Sequence, residues 1–224
     1  MKQLTLPIAM ARAPTLPAFF AGPNEPVLAH LRLWVGSPTR SPVPTYLWGP
    51  SASGKTHLLK AVQEALREQG ASVGWLDASV TEPPDFDERW AVVLMDDVHL
   101  YTAVQQHAAF SWFVGSQTLQ RGVLAAGLQP PAGLQLREDL RTRLGWGHVF
   151  QLQLLSEPER RSVLRQAADA RGVFLGDEVM DFMLTRFSRD LGSLMQLLEQ
   201  LDAYALQTKR AITIPLIRSM LENE

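Results

Sequence analysis

The chain has 224 residues, 46% of them hydrophobic, which suffices for one large domain or for a core with a small satellite. A formal net charge of -2 leaves no electrostatic footprint for sequence-independent binding to nucleic acid, so direct sequence-specific DNA binding is not expected. The absence of cysteine excludes disulfides, thiolate zinc sites and cysteine nucleophiles and fits a reducing, cytoplasmic setting, and no apolar run approaches membrane-spanning length.

Residues 1–12 read as a flexible N-terminal peptide. Lys2 precedes an apolar stretch and Ala11-Arg12-Ala13 imitates a leader cleavage site, but Pro7 interrupts a stretch already short and weakly hydrophobic for secretion. An apolar tail packed on the protein's own core is a further alternative. Residues 13–26 and 37–44 are Pro-rich connectors, as is Pro83-Pro84. Pro44-Thr45-Tyr46-Leu47-Trp48 is short, aromatic and apolar, as a strand requires, while Leu58, Leu59, Ala61, Val62, Ala65 and Leu66 recur at helical spacing over 56–67. Between them, Gly49-Pro50-Ser51-Ala52-Ser53-Gly54-Lys55-Thr56 meets the phosphate-loop pattern at every fixed position. The glycines let the backbone curl so that successive N–H groups face phosphate oxygens, Lys55 reaches the terminal phosphates, and the Thr56 hydroxyl is placed for Mg2+. An ordinary Gly/Ser turn before a helix is the weaker alternative.

Val73-Gly74-Trp75-Leu76-Asp77 reads as the next strand. Ala91-Val92-Val93-Leu94-Met95 is apolar throughout, as in a strand buried on both faces of a parallel sheet, and Asp96 and Asp97 follow at its carboxyl end, where such sheets bind ligands. Asp96 is expected in the metal shell with Thr56, and Asp97 as the catalytic group that orients or activates water. The alternative is that one aspartate caps the following segment. An amphipathic helix over 102–119, a buried strand at Gly122-Val123-Leu124-Ala125-Ala126 and a fifth strand at His148-Val149-Phe150-Gln151-Leu152 complete a P-loop α/β core with a five-stranded parallel sheet over 13–155. Helices alone follow, over 156–170, 177–187, 190–207 and 214–222, the first opening with Ser156 and Pro158; they form a small all-helical lid over 156–224. The histidines (His30, His57, His99, His107, His148) make no pair at i, i+4, so a catalytic zinc is not expected.

A P-loop core followed by a small helical lid resembles the AAA+ ATPases. Trp48-Gly49, the run Lys55-Thr56-His57-Leu58-Leu59 and an Asp-Asp pair in place of the commoner Asp-Glu resemble the DnaA family of replication initiators. Within it the chain is most similar to DnaA-homologous regulators that inactivate the initiator, over nearly its whole length, including 139–147, Leu155-Ser156 and the tail from Leu201 to Pro215. DnaA continues into a helix-turn-helix domain, whereas this chain stops at Glu224, so an ATPase module without the DNA-reading part is expected. The resemblance implies an adenine nucleotide (ADP or ATP) with Mg2+, held by Gly49, Pro50, Ser51, Ala52, Ser53, Gly54, Lys55, Thr56 and His57. Asn24, in Phe20-Ala21-Gly22-Pro23-Asn24-Glu25-Pro26, would lie along the adenine, with simple turn geometry as an equal alternative.

Two partners are implied, one by an independent N-terminal motif and one by the family resemblance. Gln3, Leu4, Leu6, Pro7 and Ile8 resemble the short motif by which bacterial proteins dock on the sliding clamp, the beta subunit of DNA polymerase III. Arg143 stands where the family carries the arginine finger that enters a neighbour's nucleotide site, here that of DnaA; a surface pairing with Glu138 or Asp139 is the alternative. Three departures argue against efficient turnover by the chain itself. The strand 123–127 ends without the Ser, Thr or Asn that senses the γ-phosphate. Gly192 replaces the lid arginine, for which Arg189 would substitute. Residues 81–87 are short and Pro-containing where DnaA has a longer helical segment. The expected function is negative regulation of replication initiation, in which the clamp-bound protein stimulates hydrolysis of DnaA-bound ATP. The alternatives are a self-sufficient AAA+ ATPase such as a helicase loader, and a clamp-binding adaptor with a vestigial nucleotide site. A homo-oligomer is compatible with each.

Overall fold

A computed structural model describes residues 14–187 and 191–222. The clamp-motif residues Gln3, Leu4, Leu6, Pro7 and Ile8, and Arg189, lie outside the described residues. The chain divides into two units, Ala13–Leu154 and a second that contains Leu155–Glu224.

The first unit is built on five parallel strands, β1 (Thr45–Trp48), β2 (Val73–Leu76), β3 (Val92–Met95), β4 (Gly122–Gly127) and β5 (His148–Gln151), in the order β2-β3-β4-β1-β5. Side-chain alternation separates two cores. Leu47, Leu94 and Leu124 face α1 (Glu25–Gly36) and α2 (Lys55–Glu68), while Tyr46, Val93, Met95 and Val123 face α3 (Ala103–Thr118) and α4 (Glu138–Leu144). Helix α1 corrects the sequence reading, which ran a connector to residue 26. Pro26 lies in the first turn, where its missing N–H does no harm, and Val27, Leu28, Leu31, Trp34 and Val35 form a buried stripe. The strand order places β1 between β4 and β5, although the chain leaves β1 for β2 at the far edge. Connections diverge there, and the crevice beyond the carboxyl ends of β1, β3 and β4 is where an open α/β sheet accommodates a ligand. The fifth strand is the opposite edge: His148, Val149 and Gln151 are exposed.

The second unit contains α5 (Glu157–Asp169), α6 (Asp177–Arg186), α7 (Leu191–Thr208) and α8 (Ile214–Glu222) around a core of its own, centred on Leu164, Met180, Met183, Leu194, Leu198, Leu201 and Ile217. Ser156 opens α5 as expected, its N–H and hydroxyl both donating to the Glu159 carboxylate at 2.7 and 2.6 Å, which holds that carboxyl below its usual pKa. Ion pairs Arg165–Asp177 and Arg171–Glu199 tie α5 and its C-terminal turn to α6 and α7.

Candidate nucleotide-binding site

The loop after β1 is shaped by two close approaches that only glycine permits. A Cβ on Gly49 would stand 2.3 Å from the Leu152 carbonyl oxygen, and one on Gly54 2.7 Å from the Phe19 ring. Gly54 has φ +96, and Ala52 adopts the left-handed region (φ 64) without being glycine, a strain of roughly 1–2 kcal/mol. The loop is also clamped from outside, since the Leu152 N–H donates to the Trp48 carbonyl at 2.7 Å.

Helix α2 then begins with no side-chain cap. Among the described residues, no backbone carbonyl accepts from the N–H of Gly54, Lys55 or Thr56. Helix α3, by contrast, opens on a capping box of Thr102 and Gln105. Free N–H groups and the positive end of the α2 dipole therefore converge on the loop, which makes an anion site. Lys55 adds a cation there, 6% exposed. Its ammonium donates to the carbonyls of Gly49 (2.9 Å) and Pro50 (2.8 Å), and Ser53 Oγ lies 3.4 Å away. Burial pulls its pKa below the usual lysine value, opposed by Asp97 and then Asp96. A buried ammonium satisfied by neutral oxygens is ready to exchange them for phosphate oxygens.

The carboxylates lie where the sequence placed them. Asp96, 3% exposed, accepts a hydrogen bond from the Asp97 N–H at 3.0 Å, and the Thr56 hydroxyl lies close enough to favour its charged form. Burial pushes its carboxyl above the usual range and Asp97 adds to the rise, while the Thr56 hydroxyl opposes both. Asp97 has left-handed backbone (φ 48), a conformation costing about 1–3 kcal/mol that recurs at functional sites. Thr56 and Asp96 supply hard oxygen donors, and the raised Asp96 pKa marks a carboxyl that a dication would relieve. These residues fit Mg2+, which would neutralise charge on bound phosphates.

His57 and Asn24 are engaged within the protein itself. The His57 ring packs 5.6 Å from Phe19, its Nε2 is buried without a partner among the described residues, and burial lowers its pKa, opposed by the nearby Thr15 backbone. It anchors the segment that covers Gly54. Asn24, 2% exposed, donates to the Gln153 carbonyl (3.0 Å) and accepts from the Gln153 N–H (2.8 Å). Both ends of the amide thus join the start of α1 to the chain after β5, and a side chain so buried presents little to a base edge.

The end of β4 is closed as well as bare. A Cβ on Gly127 would stand 2.3 Å from the Tyr46 hydroxyl, which belongs to a fully buried residue and donates to the Gln129 carbonyl at 2.8 Å. Gly192 is the second residue of α7. Arg143, in the last turn of α4, has no carboxylate partner among the described residues, because Asp139 pairs with Arg137 at 2.7 Å. Its guanidinium lies over aromatic rings instead: Trp146 at 4.8 Å, Phe110 at 5.2 Å and Phe113 at 5.9 Å. The surface pairing with Glu138 or Asp139 is not formed. Sequence reasoning missed Phe19 as the cover on Gly54 and His99, whose Nδ1 is 3.9 Å from Asp97. For His99 the signal was proximity to the Asp-Asp pair; for Phe19 there was none.

Residues 157–221 match the family model described as Hda, lid domain. In overall fold the chain is similar to domain III of the Thermotoga maritima replication initiation protein DnaA, at 20% identity and TM-score 0.76 over 93% of this chain and 95% of that one. It is similar to AMPPCP-bound DnaA from Aquifex aeolicus (18% identity, TM-score 0.68, 87% of this chain and 66% of that one). A single-residue variant of Thermotoga maritima RuvB is similar too, at 18% identity and TM-score 0.67, over 94% of this chain and 72% of that one. The parallel sheet and helical C-terminal unit thus have the fold of these DnaA and RuvB structures. Among the described residues no helix is long and apolar enough to cross a membrane.

Proposed function

For a chain that has the AAA+ fold of DnaA and a lid that matches the Hda lid model, we propose a negative regulator of replication initiation that acts on DnaA rather than on DNA. Clamp-bound through Gln3, Leu4, Leu6, Pro7 and Ile8, it would hold an adenine nucleotide with Mg2+ at Gly49 to Thr56 and Asp96. Arg143 would enter the nucleotide site of ATP-bound DnaA. The nucleotide then serves chiefly as a structural ligand. The observation that carries this reading is the contrast between two places on one unit. The strand β4 ends at Gly127 with the Tyr46 hydroxyl where a sensing side chain would project, while Arg143 is a cation without a counter-ion among the described residues. In trans, such an arginine stabilises charge on the transferring phosphoryl group and is worth about 10³ to 10⁵ in rate. Clamp docking raises its local concentration at replicating DNA, so two weak contacts make one conditional switch.

The test is hydrolysis of ATP preloaded on DnaA, with this protein and DNA-loaded clamp added together and each omitted in turn. Stimulation is expected when both are present and absent with Arg143→Ala; unchanged hydrolysis with both present would sink the reading. A second reading, a self-sufficient AAA+ ATPase such as a helicase loader, is favoured by the intact set of Lys55, Thr56, Asp96 and Asp97. It predicts turnover by this chain alone with DnaA unaffected.

A further inference from the structure

Arg143 and Trp146 are three residues apart, yet the pair is not a feature of one helix. Helix α4 ends at Leu144, and the next two N–H groups donate back to carbonyls of its last turn: Gly145 to Thr142 at 3.1 Å, Trp146 to Arg143 at 3.2 Å. The chain then passes Gly147, where a Cβ would stand 2.0 Å from the Pro44 carbonyl oxygen, and enters β5 with the His148 N–H donating to that same oxygen at 2.9 Å. Trp146 is thus held between a capped helix end and a strand start that admits glycine alone. The residue is nevertheless 59% exposed, and the Arg143 guanidinium lies 4.8 Å from its ring centre.

The ring contacts continue beyond this pair. Phe110 on α3 lies 5.2 Å from the Arg143 guanidinium and 4.8 Å from that of Arg137, so two cations share one ring. They differ in charge balance. Arg137 forms a two-toothed pair with Asp139, through Nε at 2.7 Å and Nη2 at 2.7 Å, whereas Arg143 meets rings and, among the described residues, no carboxylate. A carboxylate would hold Arg143 by cancelling its charge and occupying its N–H fork. Aromatic faces hold it from the side, leaving both the charge and the in-plane donors available. A long side chain on an unsupported surface would otherwise populate many rotamers, of which few would present the fork correctly.

We infer that Trp146 is a positioning residue for Arg143, its exposed indole fixing the guanidinium in the orientation that meets the phosphate of a bound partner's nucleotide. The inference rests on the trans-acting role given to Arg143 above. Rings stacked on a cation stabilise one orientation without contacting the reacting atoms, so Trp146 acts on the maximal rate rather than on encounter.

Hydrolysis of DnaA-bound ATP is measured with loaded clamp while the concentration of this protein is varied, for the wild type, Arg143→Ala, Trp146→Ala and Trp146→Phe. Trp146→Ala should lower the maximal rate about tenfold, with the half-saturating concentration changed less than about twofold. Trp146→Phe keeps a ring and should recover most of the rate. A thermal midpoint for each variant reports folding, and because the residue is largely exposed both are expected to match the wild type. If Trp146→Ala raises only the half-saturating concentration, the residue is a docking contact and the inference fails. It fails equally if Trp146→Phe is as slow as Trp146→Ala with the fold intact. An inactive wild type, or Arg143→Ala at the wild-type rate, instead overturns the function on which the inference rests.

Discussion

Single side chains in the loop region carry opposite demands, and Asp96 shows it best. Its folded pKa is raised by burial, so its neutral form favours the folded state. That contribution is fully present below the unfolded pKa and is lost as pH rises through the folded one. Mg2+ requires the carboxylate, so Mg2+-dependent nucleotide binding should weaken as pH falls from neutrality through the raised pKa. Asp96→Asn should stabilise the nucleotide-free protein by on the order of 1 kcal/mol, read as a higher thermal midpoint, while removing the Mg2+ contribution to nucleotide binding and with it the pH dependence. A melt without nucleotide and a Mg2+ titration at two pH values check this. Gly127 makes a second case. Gly127→Asn supplies the polar group that the end of β4 lacks, but its Cβ meets the Tyr46 hydroxyl. The expected result is a loss of about 1–3 kcal/mol in denaturant unfolding and no gain in ATP turnover.

Elements here are joined by a few side chains whose importance is invisible in their own segment. Asn24 brackets the Gln153 backbone from 129 positions away. Asn24→Ala leaves that backbone pair unsatisfied and should cost about 2 kcal/mol by denaturant melt, with nucleotide affinity falling only through stability. The β2–β3 connection is irregular and lies against α3: Trp112 Nε1 donates to the Pro84 carbonyl at 3.0 Å, and a Cβ on Gly115 would be 2.5 Å from the Phe86 ring. Gly115→Val should therefore displace Phe86 and destabilise by about 1–3 kcal/mol, read as faster proteolysis at residues 77–91. Most elements were legible because their periodicity was strong, as with Leu58, Leu59, Val62 and Leu66 on α2. Helix α1 was hidden by Pro26, since proline reads as a breaker everywhere except in the first turn.

For the whole molecule, the phosphate loop should behave as a stability switch. A nucleotide at about 100 times its Kd stabilises by about 2.7 kcal/mol, roughly 5–10 °C for a chain of this size. Mg2+ with ADP should raise the melting midpoint by that much, and Lys55→Ala should abolish the rise without lowering the midpoint of the free protein comparably. The loop, the Asp-Asp pair and the change from alternating elements to helices alone were decided locally. Glycine spacing, a buried apolar run and helix caps act within a few residues, so the place of Gly49 to Thr56 between β1 and α2, and of Asp96 and Asp97 at the end of β3, could be read from the chain itself. What needed the tertiary structure was every role set by a distant neighbour. Asn24 became a bracket because Gln153 comes to it, Gly127 is closed because Tyr46 lies one strand away, and Arg143 meets rings in place of Asp139, which Arg137 has taken. Side-chain identity records what a residue is able to bond; the fold decides which of its partners arrives first.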